Sequence, residues 1–125
     1  DEPASELAAR LRALDLLVVH ELFLTDTAKL ADVILPAASF AEKSGTFTNS
    51  ERRVQVITET VPAPGIARAD WEILVDLSQY FDRPLTYTLP QQIWGEIADE
   101  VPAYRGLSRS EIGPTGVRPR ALQPA

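Results

Sequence analysis

The chain contains no cysteine, no methionine and a single histidine, His20. Without cysteine there is no disulfide framework, thiolate nucleophile, zinc knuckle or cysteine-ligated cluster within these residues. One histidine with no serine patterned beside it excludes a serine–histidine–acid triad, and with only scattered carboxylates around it there is no recognisable metal-ligand spacing. Basic charge is also scarce: 12 Lys and Arg against 18 Asp and Glu give a formal net charge of −6. The densest basic run is Arg52-Arg53, too little to neutralise phosphates, so no nucleic-acid partner is expected. No apolar run approaches the ~20 residues of a membrane-spanning helix, so no direct membrane span is expected either. A glycine-rich phosphate cradle is missing as well, because "SGTF" offers a lone glycine.

The missing methionine has a further meaning. Translation starts on one, and its removal is not expected before Asp1, so the chain reads as a piece of something longer. At 125 residues it has the length of one domain with one core.

What is present reads as α/β. Glu2-Pro3 followed by Leu7, Leu11 and Leu14 has the spacing of a helix with one buried face. Leu16-Leu17-Val18-Val19 is a continuous apolar run, as expected for a strand covered on both faces in a parallel sheet. Thr25-Asp26-Thr27 offers capping oxygens before "AKLA", a turn or two of helix, and Val33-Ile34-Leu35 is a second strand that Pro36 stops. Strand, short helix and strand suit a parallel layer with crossovers. The opening helix has no strand before it, so an exposed sheet edge or apolar face is expected. The passage after Pro36 reads as a long polar loop in which Gly45 is a turn residue needing positive φ. Val54 and Val56 alternate with polar neighbours as a strand with one wetter face. Trp71, Leu74, Leu77 and Phe81 mark the stripe of a helix beginning near Asp70; Ile93, Trp94, Ile97 and Val101 mark another, entered through Pro90 and closed by Pro102. The remaining residues show no period.

Three places are candidate sites, each with a structural alternative. His20 and Glu21 follow the first apolar run, and ligands of parallel sheets bind outside the carboxyl ends of strands; a histidine at a strand end is also commonly structural. Thr25 precedes a helical turn where a polar or anionic ligand is received, or simply caps that turn. Asp70 either caps its helix or offers two carboxylate oxygens to the parallel N1–H and N2–H of guanine.

The run "LDLLVVHELFLTDTAKLADVILPAASFAEKSGTFTNSERRVQ", followed by "ARADWEIL", resembles the large subunits of the molybdopterin oxidoreductase superfamily, over most of residues 14–81. It is most similar to the G chain of bacterial NADH-quinone oxidoreductase, on "AASFAEKSGTFTN", with the formate dehydrogenase alpha chain close behind. "NSERRVQ" suits the dehydrogenases and some G chains, whereas many G chains have glycine before the arginine. The resemblance implies part of a Rossmann-like parallel-sheet domain with peripheral C-terminal helices. Residues 1–102 would be a partial α/β domain of the type that binds molybdopterin guanine dinucleotide, and 103–125 an irregular extension. It also implies cofactor contact at His20, where the family pattern has glutamine, and at Glu21 and Thr25, with Asp70 as guanine acceptor. Iron–sulfur clusters would lie elsewhere in a parent chain. Implied partners are the remainder of that subunit and other oxidoreductase subunits, in the cytoplasm or at the inner face of the membrane. The implied function is that of a G-type segment in electron transfer, alternatively the cofactor-binding segment of a molybdenum- or tungsten-dependent formate dehydrogenase, alternatively a scaffold that has lost its cofactor.

None of these places a redox centre within the 125 residues. The isolated chain is therefore expected neither to oxidise formate nor to reduce quinone. Dye reduction with formate or NADH above a no-protein control overturns that expectation.

Overall fold

The computed structural model describes residues 4–119. Helix α1 (Ala4–Arg12) leads to β1 (Val18–Glu21), a 3-10 turn (Ala28–Leu30) and β2 (Val33–Pro36). A hairpin of β3 (Gly45–Thr48) and β4 (Val54–Ile57) follows, then α2 (Asp70–Ser78), α3 (Pro90–Glu100), a second 3-10 turn (Pro102–Tyr104) and α4 (Arg109–Ile112). Glu2 and Pro3, expected to open the first helix, and residues 120–125 of the expected extension lie outside the described residues.

Strands β1 and β2 pair in parallel, from Val18 opposite Val33 to Glu21 opposite Pro36. A single parallel bridge between Ala37 and Arg68 adds a third segment beyond β2, with Ala38 N–H donating to the Arg68 carbonyl at 2.8 Å and Arg68 N–H to that of Pro36 at 3.2 Å. Two residues later α2 begins. The α/β expectation therefore holds as a mixed fold of helices with one small parallel and one small antiparallel sheet.

Several sequence expectations are corrected. The first strand lies two residues further on than the apolar run, so His20 and Glu21 are its last two residues and do not follow it. The polar loop contains β3, which "GTFT" disguises because its order comes from antiparallel pairing with β4, Gly45 opposite Ile57 through Thr48 opposite Val54. Gly45 opens that strand without a left-handed φ; in the hairpin it is Arg52, at φ 62°, that takes this conformation. There Arg52 N–H donates to the Asn49 carbonyl and Arg53 N–H to Asn49 Oδ1, closing a short loop whose last position favours glycine. Glycine before the arginine suits the same backbone.

Burial is unevenly divided. The core cluster is Val54, Trp94, Ala98 and Ile112, with Val56, Ile97, Tyr104, Leu107 and Val117 packed against it. Burying a side chain such as Ile112 contributes about 1.5–3 kcal/mol. Trp94 adds a hydrogen bond from Nε1 to the Leu107 carbonyl at 2.8 Å and a tilted ring contact with Tyr104. The parallel sheet is only partly covered: Val33 and Ile34 point to opposite faces and are 41% and 40% exposed, so neither face is buried as the apolar run implies. Leu7 of α1 and Leu14 beyond its end are likewise exposed. On α2 the buried residue is Ile73, while Leu74 and Leu77, and Phe81 just beyond its end, are exposed. A 3.6-residue period defines faces but does not say which of them meets the body.

The segment after α4 is tied to the hairpin. Val117 and Val54 exchange backbone hydrogen bonds of 2.8 and 2.9 Å, Arg53 Nη1 donates to the Gly116 carbonyl, and Arg118 Nε to that of Glu51. Gly116 has φ +73°, and a Cβ there would stand 2.5 Å from the Val54 carbonyl oxygen. Gly116→Ala is thus expected to lower stability by about 2 kcal/mol or more, through left-handed strain and separation of Val117 from β4. Gly45→Ala, with nothing within 4 Å of a new Cβ, is expected to shift it by less than about 1 kcal/mol. Thermal melts of the two variants measure the contrast.

Candidate functional site

The parallel segments bring their carboxyl ends to one edge: His20 and Glu21 from β1, Pro36 and Ala37 from β2, and Arg68 running into α2. The side chains there face different ways. Glu21 turns back on its own chain, its Oε1 accepting from Leu22 N–H at 3.0 Å. Thr25 Oγ1 accepts from Ala28 N–H at 3.2 Å, the contact of the capping alternative, and Asp26 pairs with Lys29 in full solvent. Neither Glu21 nor Thr25 touches His20 or Asp70 in the hydrogen bonds of the described residues.

His20 and Asp70 do meet. Asp70 is the first residue of α2, and the capping position before it is Ala69, which has no side-chain oxygen. Glu72 Oε2 reaches back to Ala69 N–H at 3.3 Å, leaving half of a capping box. The capping alternative for Asp70 is therefore set aside by one residue of register. Its Oδ2 accepts from Lys43 Nζ at 2.5 Å, and its Oδ1 lies 3.7 Å from His20 Nδ1. Burial acts to raise the Asp70 pKa, but the Lys43 hydrogen bond and charge outweigh it, with smaller help from the backbone and His20, and hold it below 3.8. The sign is that of a depressed acid: the pair's contribution to stability is complete above the ordinary carboxylate value and disappears as pH falls through the lowered one.

Lys43 is the site residue that sequence reasoning missed. It lies 27 residues before Asp70, in a polar passage where no periodicity or cap singles it out. The only signal is its charge, beside Gly45 at the entry to β3. Lys43 and Asp70 both line a cavity of about 260 Å³ whose walls include Trp71, Ile93 and Trp94. Lys43 also lines a more polar cavity of about 310 Å³ bounded by Glu42, Glu59, Arg68 and Glu72. Arg68 is itself engaged, by Asp76 and by Glu72, and its guanidinium pKa is raised mainly by the Asp76 hydrogen bond.

Chemically the constellation is a carboxylate kept ionised, an ammonium and an imidazole, at a helix start beside strand ends. It can accept hydrogen bonds from a polar ring and balance a nearby anion. Among the described residues no group of three or more His, Cys, Asp or Glu side chains could hold a metal ion, and no helix is long and apolar enough to cross a membrane.

Comparison with known proteins extends this geometry. The chain is 45% identical over 120 residues to the F420-dependent formate dehydrogenase 2 subunit alpha of Methanococcus maripaludis, covering 94% of this chain and 18% of that protein. The F420-dependent formate dehydrogenase subunit alpha of Methanocaldococcus jannaschii gives the same identity and coverage. The second G-type subunit of the NADH-quinone oxidoreductase of Rhizobium meliloti is 42% identical over 115 residues, 91% of this chain and 14% of that protein. The chain thus spans less than a fifth of the length of these relatives, all of them named as subunits. The family model for molybdopterin oxidoreductase matches residues 2–80, a stretch that holds the parallel strands, Lys43 and Asp70 together, and the chain belongs to that family.

Proposed function

We propose that this chain is the segment of a molybdopterin oxidoreductase large subunit that holds the guanosine end of a molybdopterin guanine dinucleotide. The observation that carries the reading is Asp70. A carboxylate kept ionised presents acceptors only, and guanine offers the matching pair of donors, N1–H and N2–H, on one edge. Its position fits as well, at the start of α2 and beside the carboxyl ends of β1 and β2, where doubly wound sheets receive nucleotides. His20 contacts the cofactor from the β1 side, with Glu21 and Thr25 as further contacts. The bound cofactor would supply the redox chemistry; the residues of this chain bind and orient its nucleotide.

The remaining features follow from that role. Residues 1–102 form part of a Rossmann-like domain and 103–125 its extension. The partly exposed faces of the parallel sheet, together with the exposed Leu22, Phe23 and Leu24, are covered by the remainder of the subunit. Iron–sulfur clusters lie elsewhere in that subunit, and further oxidoreductase subunits assemble with it in the cytoplasm or at the inner face of the membrane. The parent is of the kind represented by formate dehydrogenase alpha chains and the G chains of NADH-quinone oxidoreductase.

One observation favours a second reading, in which the domain is a cofactor-free scaffold of the G type: Lys43 already satisfies one Asp70 oxygen without any ligand. Substitution of Asp70 in the intact subunit separates the two. Asp70→Asn turns one acceptor into a donor and removes charge assistance, where each hydrogen bond to a charged group is worth about 1.5–3 kcal/mol. If guanine is held there, molybdenum or tungsten content and extractable guanine nucleotide fall together, and Asp70→Ala lowers them at least as far. In a scaffold neither is present at the outset, and both substitutions act only on melting temperature, through loss of the Lys43 pair. A metal-loaded subunit whose Asn variant keeps full occupancy removes Asp70 from the guanine site.

A further inference from the structure

Asp70 has two cationic or potentially cationic neighbours, and they pull on different oxygens. Lys43 Nζ is at 2.5 Å from Oδ2, within a hydrogen bond, while His20 Nδ1 is at 3.7 Å from Oδ1, outside one. The side chains of Lys43 and His20 are both mostly buried, 27% and 23% exposed, whereas that of Asp70 is 44% exposed. Lys43 therefore engages one oxygen, Oδ2, while Oδ1 lies toward His20 but outside hydrogen-bond range, and the carboxylate as a whole stays 44% exposed with lone pairs on both oxygens left for a ligand. If Oδ2 were released, a small rotation about the side-chain torsions would bring Oδ1 onto His20 Nδ1 and withdraw it from solvent.

We infer that Lys43 is a positioning residue for base recognition: by holding Oδ2 it keeps both Asp70 oxygens directed at a purine edge and prevents closure onto His20. The inference rests on the reading of Asp70 as the guanine acceptor. It goes beyond that reading in assigning discrimination of the 2-amino group to a residue that touches no base. Two oxygens in register are needed to accept N1–H and N2–H together; a single turned oxygen accepts N1–H alone and no longer distinguishes guanine from hypoxanthine, which lacks the 2-amino group. Lys43 also differs from a general stabiliser in its placement, because it lines the same cavity as Asp70 and ties the loop before β3 to the first turn of α2.

The test compares binding of guanosine diphosphate and inosine diphosphate to the cofactor-free full-length subunit by calorimetry. One hydrogen bond to a carboxylate corresponds to about tenfold or more in affinity, so the unsubstituted subunit is expected to prefer the guanosine ligand by at least that ratio. Lys43→Met is expected to bring the ratio close to one while inosine diphosphate binding changes less. Lys43→Gln, which keeps a neutral donor to Oδ2, should fall between, and it serves as the readable variant if the methionine variant does not fold. Lys43→Arg, which keeps the charge, should retain most of the preference. A merely structural role for Lys43 weakens both ligands equally and leaves the ratio unchanged, and that result overturns the inference. Asp70→Asn tells its failure from that of the underlying reading. Loss of the preference in Asp70→Asn with retention in Lys43→Met and Lys43→Gln sinks the Lys43 inference alone. Absence of any preference in the unsubstituted subunit sinks the guanine reading and the inference with it.

Discussion

An ammonium and a carboxylate 2.5 Å apart join two segments that the β3–β4 hairpin separates in sequence, the loop leaving β2 and the first turn of α2. The backbone alone brings these segments close, through the single bridge of Ala37 with Arg68, but a lone bridge does not fix where a side chain two residues on will point. The ion pair does. It chooses the orientation of the Asp70 carboxylate, keeps it ionised against partial burial, and leaves its second oxygen facing the histidine at the end of β1. A partly exposed pair of this kind contributes little to stability, since solvent screens it and about 0–1 kcal/mol is typical of ion pairs open to water. Its importance lies in geometry: without it the two strand ends and the bridged segment share an edge but not a common polar focus.

That focus is separate from the part of the chain that is well packed. Val54, Trp94, Ala98 and Ile112 surround the hairpin with α3 and α4, and the segment through Gly116 and Val117 seals its far side. The parallel strands have no such cover, and hydrophobic residues on both of their faces meet water. Parallel sheets are ordinarily buried on both sides, so β1 and β2 hold their register here through backbone hydrogen bonds and the Asp32 carboxylate that accepts from Leu17 N–H at 2.8 Å. Cohesion is concentrated in the hairpin half, and the His20, Lys43 and Asp70 cluster lies at the end of the parallel half.

Elements that signal locally are legible in the sequence. β2 matches its apolar run to within one residue, Pro90 enters α3 as a proline at a helix start should, and Thr25 caps the turn it precedes. What cannot be read there depends on distant partners. The "GTFT" of β3 contains one large apolar residue, and its strand character comes from Gln55 and its neighbours across the ladder. Ile112 is nearly fully buried although the sequence around it shows no period, because four helical residues are too few to display one. Asp70 stands out in the sequence, yet whether it caps α2 turns on whether the helix begins at it or after it, a one-residue distinction that composition cannot make. Lys43 carries no local signal, since an ion pair spanning 27 residues leaves none.

The two halves are nevertheless coupled, and the direction of the coupling can be followed along the chain. Lys43 lies two residues before β3, whose register is fixed by β4, and β4 is fixed in turn by the buried Val54 and its exchange with Val117. Gly116 permits that exchange only because it lacks a Cβ. The ammonium that orients Asp70 is thus anchored through a short, hydrogen-bonded path to the best-packed residues of the molecule. On the other side Asp70 is held by α2, which is secured through Ile73 and Ala69. A carboxylate at a helix start, met by a cation two residues before a paired strand, is positioned from both directions. The shape of this site is therefore set by the packing of both halves rather than by the exposed strands alone.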